Sequence, residues 1–475
     1  MEEKLLSLVA QINGYLTDYI LIFLLVGTGL WFTLKTNFVQ VRCFGEGMKK
    51  VFGGLSLRGG KNKSGLSSFQ ALATAIAAQV GTGNIVGASG AILVGGPGAI
   101  FWMWVIAFFG MATIYAEATL AQETRVVDED GEVHGGPVYY IKKAFKGGFG
   151  KFLAVFFAIA ITLALGFMGS MVQSNSIAEA CNTAFGIDTW IVGLIVAAVS
   201  AFIFLGGIQR IASVTEKLVP IMAVLFLAGG LVILGFRFKE IPATFGMIFK
   251  YAFTPSALIG GGIGAALKTA ISQGAKRGLF SNEAGMGSTP HAHAMANVKN
   301  PHEQGVVAMI GVFIDTFVVL TMTALVVISS LYAGDGMLAG LTGADYINAT
   351  TGDAAIISKT SAMQTAYTNA LPEFLGNFGN IFIAICLLFF AFSTIISWNF
   401  FGKINVQYLC KKFSKVAVVV YSVIAIAFIF LGSVLKNDLV WELTDFFNYL
   451  MVIPNVIALF ALSKIVVKHS KTKKQ

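Results

Sequence analysis

"AAQVGTGNIVG", residues 77–87, lies inside an otherwise apolar stretch long enough to cross a bilayer. Three glycines in seven residues weaken a helix by about 1 kcal/mol each relative to alanine, and the same run carries Gln79, Thr82 and Asn84. Non-helical backbone is tolerated at membrane depth only where it lines a cavity or is buried in protein, and polar side chains there are costly unless used. Close helix packing explains the glycines. It does not explain the polar residues beside them. The run therefore reads as a deliberately interrupted membrane helix. It is not a dinucleotide fingerprint, because Val86 stands where the third glycine belongs and no strand precedes it.

The rest of the chain supplies the membrane context. Of 475 residues, 56% are hydrophobic and 12% charged, with a mean hydropathy of +0.77; a soluble chain carries about a quarter charged residues. This is an all-α polytopic membrane protein. Eleven apolar segments are expected, at 15–35, 67–94, 97–122, 150–182, 188–206, 212–236, 259–286, 303–332, 376–402, 413–433 and 439–465. An odd number puts the termini on opposite sides. Twenty-six Lys and Arg then fall on one face and six on the other, with Lys268 inside a span. The basic face is cytoplasmic, so the N-terminus is expected outside and the C-terminus inside. The net charge of +9 thus faces anionic lipid rather than nucleic acid. The start reads as no cleavable signal, and the four cysteines show neither pairing nor metal spacing. Residues 333–375, the longest stretch between segments, are expected outside and able to fold over an entrance.

A second interruption is expected in segment seven, "GGGIGAALKTAISQGAKRGLFSNEAGMGS", at Ser272-Gln273-Gly274. If repeats begin near residues 66 and 259, the two breaks occupy matching places. The chain then divides into an extra helix with a basic loop (1–65), a first five-helix repeat (66–236), a second (259–466) and a basic tail (467–475). Five is odd, so the second repeat is inverted. Interrupted helices at matching places in inverted halves point to a transporter's central site: freed N–H groups attract a carboxylate, and freed carbonyls hold Na+.

"GGPGAIFWMWVIAFFG" at 95–110 closely resembles the signature of the alanine or glycine:cation symporter family, the sodium:alanine symporters. "QVGTGNIVG", "SNEAGMGS" at 281–288 and "FSTIISWN" at 392–399 are similar to that family too. The resemblance covers nearly the whole chain. It implies a LeuT-like fold of ten core helices, a 5+5 inverted repeat, with one extra helix before it. It also implies uptake of alanine or glycine driven by Na+, or by H+ in some members. By the same resemblance the substrate carboxylate sits on the N–H groups of Thr82 and Gly83. One Na+ takes the carbonyls of Ala77 and Val80 with the hydroxyls of Ser393 and Thr394, and a second ion engages Asn84 and the Gln79 carbonyl.

Other polar positions carry competing readings. Gln173 and Asn175, mid-helix in segment four, can read the amino acid's carboxylate or amino group, or make interhelical hydrogen bonds. Ser272, Gln273 and Gly274 would contribute freed backbone to the substrate. Trp398, one turn after Thr394, can wall the pocket and limit the side chain, or can simply pack. Lys268 and Asp315 lie well inside spans, and a mutual ion pair is the cheapest arrangement, with a proton-coupling carboxylate at Asp315 the sharper alternative. Glu117, Lys276, Arg277 and Glu283 are placed near cytoplasmic ends as gate or structural pairs. His291, His293 and His302 lack an acidic residue or cysteine to complete a metal site. No nucleophile–base pair or phosphate loop is readable, so no enzyme is expected. The reading is a secondary active symporter with Na+ as coupling ion and no other cofactor. The alternative is an H+-coupled or other-solute transporter on the same fold.

Overall fold

The computed structural model describes residues 2–53, 65–129, 132–204, 207–351 and 355–471. Sixteen helices carry the argument: α1 (Glu3–Lys35), α2 (Phe44–Gly53), α3 (Ser68–Gln79), α4 (Gly83–Gly95), α5 (Ala99–Thr124), α6 (Gly147–Phe185), α7 (Thr189–Phe204), α8 (Arg210–Phe236), α9 (Ile241–Phe253), α10 (Ile263–Asn282), α11 (Pro301–Leu331), α12 (Gly343–Thr350), α13 (Ala362–Ala370), α14 (Phe378–Leu409), α15 (Lys411–Val434) and α16 (Asn437–Ala461). A two-stranded hairpin pairs Val126 with His134 and Val127 with Val133.

Eight of these helices are long and apolar enough to cross a membrane; α3 and α4, bent by 45° at their junction, together make a ninth. α7 is apolar but shorter, and α10 carries Lys268, Lys276 and Arg277. Burial sorts them. Every residue from Ala71 to Leu93 is buried, as expected of a span apolar on all sides at the centre of a bundle. α8 and α15 instead turn Ile221, Val224, Val416 and Val419 outward, the character of lipid-facing helices. The opening stretch is therefore the innermost span, ringed by the others.

Two local devices hold that span. Ser67 caps α3 through a reciprocal capping box with Gln70, satisfying donors a helix start leaves free. At the far end of α4, the hydroxyls of Tyr332 and Tyr346 donate to the carbonyls of Ile92 and Leu93, at 2.8–3.3 Å, and so cover orphan acceptors there. Tyr346 belongs to α12, so this part of the 333–375 stretch packs over this end of the broken helix.

Segment seven departs from expectation. α10 runs unbroken from Ile263 to Asn282, through Ser272, Gln273 and Gly274. A lone glycine costs a helix only about 1 kcal/mol, and the packing uses this one. A Cβ at Gly274 would stand 2.6 Å from Trp102 Cβ and 2.9 Å from the Ala99 carbonyl. The chain breaks after Asn282 instead: Glu283 turns left-handed at φ 58°, Gly285 and Gly287 follow at φ 95° and 78°, and helix resumes at Pro290–Ala294. Glycine is the default residue for such backbone.

Candidate functional site

The first break begins where α3 ends. Val80 leaves the helix at ψ 89°, and Gly81 and Thr82 bridge to α4. Three side chains take up what the break exposes. Asn84 Oδ1 accepts from the Gly81 N–H (2.9 Å), Gln173 Oε1 accepts from the Thr82 N–H (3.0 Å), and Gln79 Nε2 donates to the Asn282 carbonyl (2.7 Å). Gln79 thus ties the first break to the end of α10. Thr82 Oγ1, Gln173 Nε2 and Gln79 Oε1 are buried without a partner. Buried polar atoms are nearly always bonded, so these three mark a place shaped for something polar.

Beside it, α14 brings two hydroxyls against α3. Thr394 Oγ1 has the carbonyls of Ala77 (2.9 Å) and Phe390 (3.1 Å) in reach, and Ser393 Oγ has the same two at 3.4 and 2.8 Å. Four oxygens converge with no nitrogen among them, a set suited to a hard cation; Met222 Sδ lies 3.5 Å from Ser393 Oγ at its edge. The Phe390 carbonyl was not expected. It is offered because each hydroxyl reaches back one turn along its own helix, a pattern common to Ser and Thr. A Cβ at Gly81 would lie 2.3 Å from Thr394 Oγ1, which accounts for the glycine.

The second break supplies the other wall. Its turn is clamped by Glu117, which accepts from the N–H groups of Gly285 (3.1 Å) and Gly287 (2.9 Å) and from Asn455 Nδ2 (2.6 Å). Glu283 accepts from Trp398 Nε1 and from Ser288 Oγ, both at 2.5 Å. Trp398 is fully buried and edge-on to Phe280 at 5.7 Å, while Gly83 is so close to α10 that a Cβ there would be 2.9 Å from Phe280 Cδ1. The two breaks therefore meet, with Trp398 and Phe280 beside them.

Asp315, on α11, joins both. It accepts from Asn84 Nδ2 (2.6 Å), Ser281 Oγ (2.9 Å) and Thr316 Oγ1 (2.8 Å). Lys268 is not its partner: Lys268 is half exposed and pairs with Asp18 of α1 at 2.7 Å. A cationic head on a long stem escapes a dry core more cheaply than it pairs there. Among the described residues, Asp315, Glu283 and Glu117 are all fully buried and none has a basic group within ion-pair distance.

Toward the α12–α13 side, the Trp441 ring packs tilted against Phe280 at 4.8 Å and carries the Arg277 guanidinium over it at 4.5 Å. Arg277 pairs with Asp445 at 3.2 Å. It lies near the C-terminal end of α10, five residues before Asn282. Beyond lies a cavity of about 550 Å³ lined by Gly90, Glu179, Asn182, Lys359, Thr360 and Asp438. Lys359 bonds Asp438 at 2.6 Å, and burial pulls its ammonium below the usual lysine range.

Several expected residues stand elsewhere. Ser272 donates to Asp18 Oδ1 (3.1 Å), Gly274 packs on α5, and a Cβ at Gly95 would touch Gln273 Cβ. All three lie about 15 Å up α10 from the true break, at 1.5 Å per residue, because their helix never unwinds. Asn175 donates to the Gly432 and Leu435 carbonyls, an interhelical bond and not a pocket contact. The three histidines separate: His291 bonds the Ser288 carbonyl and Asn405, His293 bonds Gln304, and His302 bonds Tyr115.

A family profile described as the sodium:alanine symporter family matches residues 2–475. The chain belongs to that family. A sodium/alanine symporter of Methanococcus maripaludis is 41% identical over 467 residues, 98% of this chain and 96% of that one. A Bacillus subtilis protein named "Probable sodium/glutamine symporter GlnT" is 38% identical over 98% of this chain and 90% of its own. The solved structure of MhsT in complex with L-phenylalanine matches with a TM-score of 0.60 at 16% identity, covering 87% of this chain and 94% of that one; it shows a shared LeuT-like fold. This symporter-family chain is a multi-pass membrane transporter and not an enzyme, and its family supports coupling of a cation to an amino acid.

Proposed function

We propose that the chain couples Na+ entry to uptake of a small neutral amino acid, alanine or glycine, by alternating access. Eleven spans fit this reading: α1, the bent pair α3–α4, α5, α6, α7, α8, α10, α11, α14, α15 and α16. The last ten form two inverted sets of five, with the N-terminus outside and the C-terminus in the cytoplasm. The observation that carries it is the convergence of Thr394 and Ser393 hydroxyls on the Ala77 and Phe390 carbonyls where α3 unwinds. One Na+ sits among these oxygens and the Val80 carbonyl. The substrate carboxylate replaces Gln173 Oε1 on the Thr82 N–H and takes the Gly83 N–H as well, while the unpartnered Gln173 Nε2 turns to donate to it. Trp398, held by Glu283 against Phe280, closes the pocket to large side chains.

A second cation at Asn84 and the Gln79 carbonyl would gain Asp315, whose carboxylate is bonded to Asn84 already. That carboxylate also favours a second reading, in which a proton takes the place of the second cation. Uptake of labelled alanine into proteoliposomes tests the proposal. Accumulation is expected with external Na+ and absent when K+ replaces it; accumulation in K+ driven by a pH gradient would select the proton, and none under any gradient would remove the assignment.

A further inference from the structure

The three histidines part company, yet one of them acquires the partners that sequence spacing hid. Cys43 Sγ, a Glu46 carboxylate oxygen and a His302 ring nitrogen lie within 4.8 Å of one another. We infer that these three side chains form a transition-metal site, of zinc by preference, that staples the Val39–Gly53 segment to the start of α11.

The donor set comes first. A thiolate, an imidazole and a carboxylate are borderline-soft together, which suits zinc and disfavours Mg2+ and Ca2+. Distances follow. Zinc–nitrogen and zinc–oxygen bonds of about 2.0–2.2 Å set ligand atoms roughly 3.4 Å apart on a tetrahedron, and a thiolate roughly 3.6 Å from each. His302 Nε2 and Glu46 Oε1 stand 3.6 Å apart, too long for a hydrogen bond and close to the tetrahedral spacing. The thiolate then needs to draw in by at most about 1 Å. Cys43 stands immediately before α2 and Glu46 in its first turn, so both sit at the same end of that helix.

The surroundings match a held ligand. Tyr115 Oη lies 2.7 Å from His302 Nδ1, so the outer nitrogen is engaged and Nε2 faces Glu46, the arrangement that orients metal-bound histidines. Cys43 and His302 are buried at 5% and 7% exposure, and Glu46 is partly open, leaving a path for the ion and room for a water as fourth ligand. The nearby cations have other partners: Arg42 donates to the Thr36 and Ser470 carbonyls, and Lys50 pairs with Glu303 at 3.7 Å. Their charge lowers the affinity but does not fill the site.

Cobalt reads the site independently of transport. Full-length protein stripped with chelator and titrated with Co2+ should develop a thiolate-to-cobalt charge-transfer band saturating at one equivalent, displaced by Zn2+. Cys43→Ser should abolish the band, His302→Gln and Glu46→Gln should weaken Co2+ binding by more than 100-fold, and Tyr115→Phe should weaken it by about 10–100-fold. Cys410→Ser should leave it intact. The exposed trio Asp128, Glu132 and His134 has no thiol and cannot give the band. A melting temperature raised by Zn2+ in wild type but not in Cys43→Ser provides a second readout that excludes misfolding of the variant. A wild-type protein with no charge-transfer band, or a band that survives Cys43→Ser, overturns the site.

Discussion

Replacing Thr394 by alanine probes the proposed cation site where its geometry is most specific. In the structure the Thr394 hydroxyl spans the Ala77 and Phe390 carbonyls, at 2.9 and 3.1 Å. A bound Na+ would turn that oxygen toward itself and take the two carbonyls as ligands. The variant loses one neutral ligand of at least four, while Ser393 still reaches both carbonyls. A net interaction of this kind contributes about 1 kcal/mol, or roughly a fivefold change in a binding constant. The Na+ concentration for half-maximal alanine uptake should therefore rise about fivefold, with alanine affinity at saturating Na+ nearly unchanged. Thr394→Ser keeps the oxygen and should stay near wild type. Ser393→Ala with Thr394→Ala should raise the Na+ requirement about 30-fold if the two add, and adjacent ligands can depart from additivity. The assay is a Na+ titration of initial uptake in proteoliposomes, paired with Na+-induced tryptophan fluorescence of the purified protein. If Thr394→Ala leaves the Na+ titration unmoved and raises the alanine requirement instead, the hydroxyl serves the substrate and the cation assignment fails.

Other substitutions test the neighbouring assignments. Asp315→Asn keeps the size but not the charge and should lower uptake at least tenfold. Adding Lys268→Gln should not restore it, since Lys268 makes a half-exposed pair with Asp18 of a kind contributing about 0–1 kcal/mol; rescue would re-establish the pairing that the structure separates. Gly83→Val should abolish alanine binding in protein that still inserts, because even its Cβ would meet Phe280 at 2.9 Å and Ser281 Cα at 3.1 Å; wild-type affinity by equilibrium binding would refute the carboxylate placement. Gly169→Ala should drive the Trp398 indole, 2.4 Å from the new Cβ, and alter which side chains compete with labelled alanine; an unchanged competition profile would reduce Trp398 to packing. Glu117→Gln should lower the thermal midpoint by several degrees, since an amide cannot accept from both Gly285 and Gly287 as the carboxylate does and leaves about 1–3 kcal/mol of buried polarity unmet.

The sequence made the first break legible because Gln79, Thr82 and Asn84 sit beside the glycines and polar groups at depth need a reason. It misplaced the second because Ser272-Gln273-Gly274 looks like the same signal. Polarity there serves something else: Ser272 meets Asp18, and Gly274 lets α5 approach. The informative mark was the repeated Gly-x-Gly, Gly81-Thr82-Gly83 at the first break and Gly285-Met286-Gly287 at the second. Ser393 and Thr394 were readable as adjacent hydroxyls, but the Phe390 carbonyl was not, because a main-chain acceptor leaves no trace in a side-chain pattern. Asp315 was visible as an intramembrane charge, whereas its partners on α4 and α10 are set by how helices distant in sequence pack.

The distribution of charge across the site bears on coupling. On the cavity side, Lys359 meets Asp438 and Arg277 meets Asp445, so both of these cations are paired with a carboxylate. At and beyond the breaks, Asp315, Glu283 and Glu117 are buried among hydrogen-bond donors with no basic partner among the described residues. Donors alone offset only part of the cost of holding a carboxylate in a dry interior, which is several kcal/mol per ion. On the symport reading, the remainder favours a cation at Asp315, and the two half-helices that this residue ties together through Asn84 and Ser281 are the elements whose closure that cation would reward. A zwitterion brings no net charge and cannot supply that stabilisation alone. Ion first, substrate second is then the order that the buried charge imposes, and alanine binding measured without Na+ or a proton donor should be weaker by at least the factor that the ion contributes.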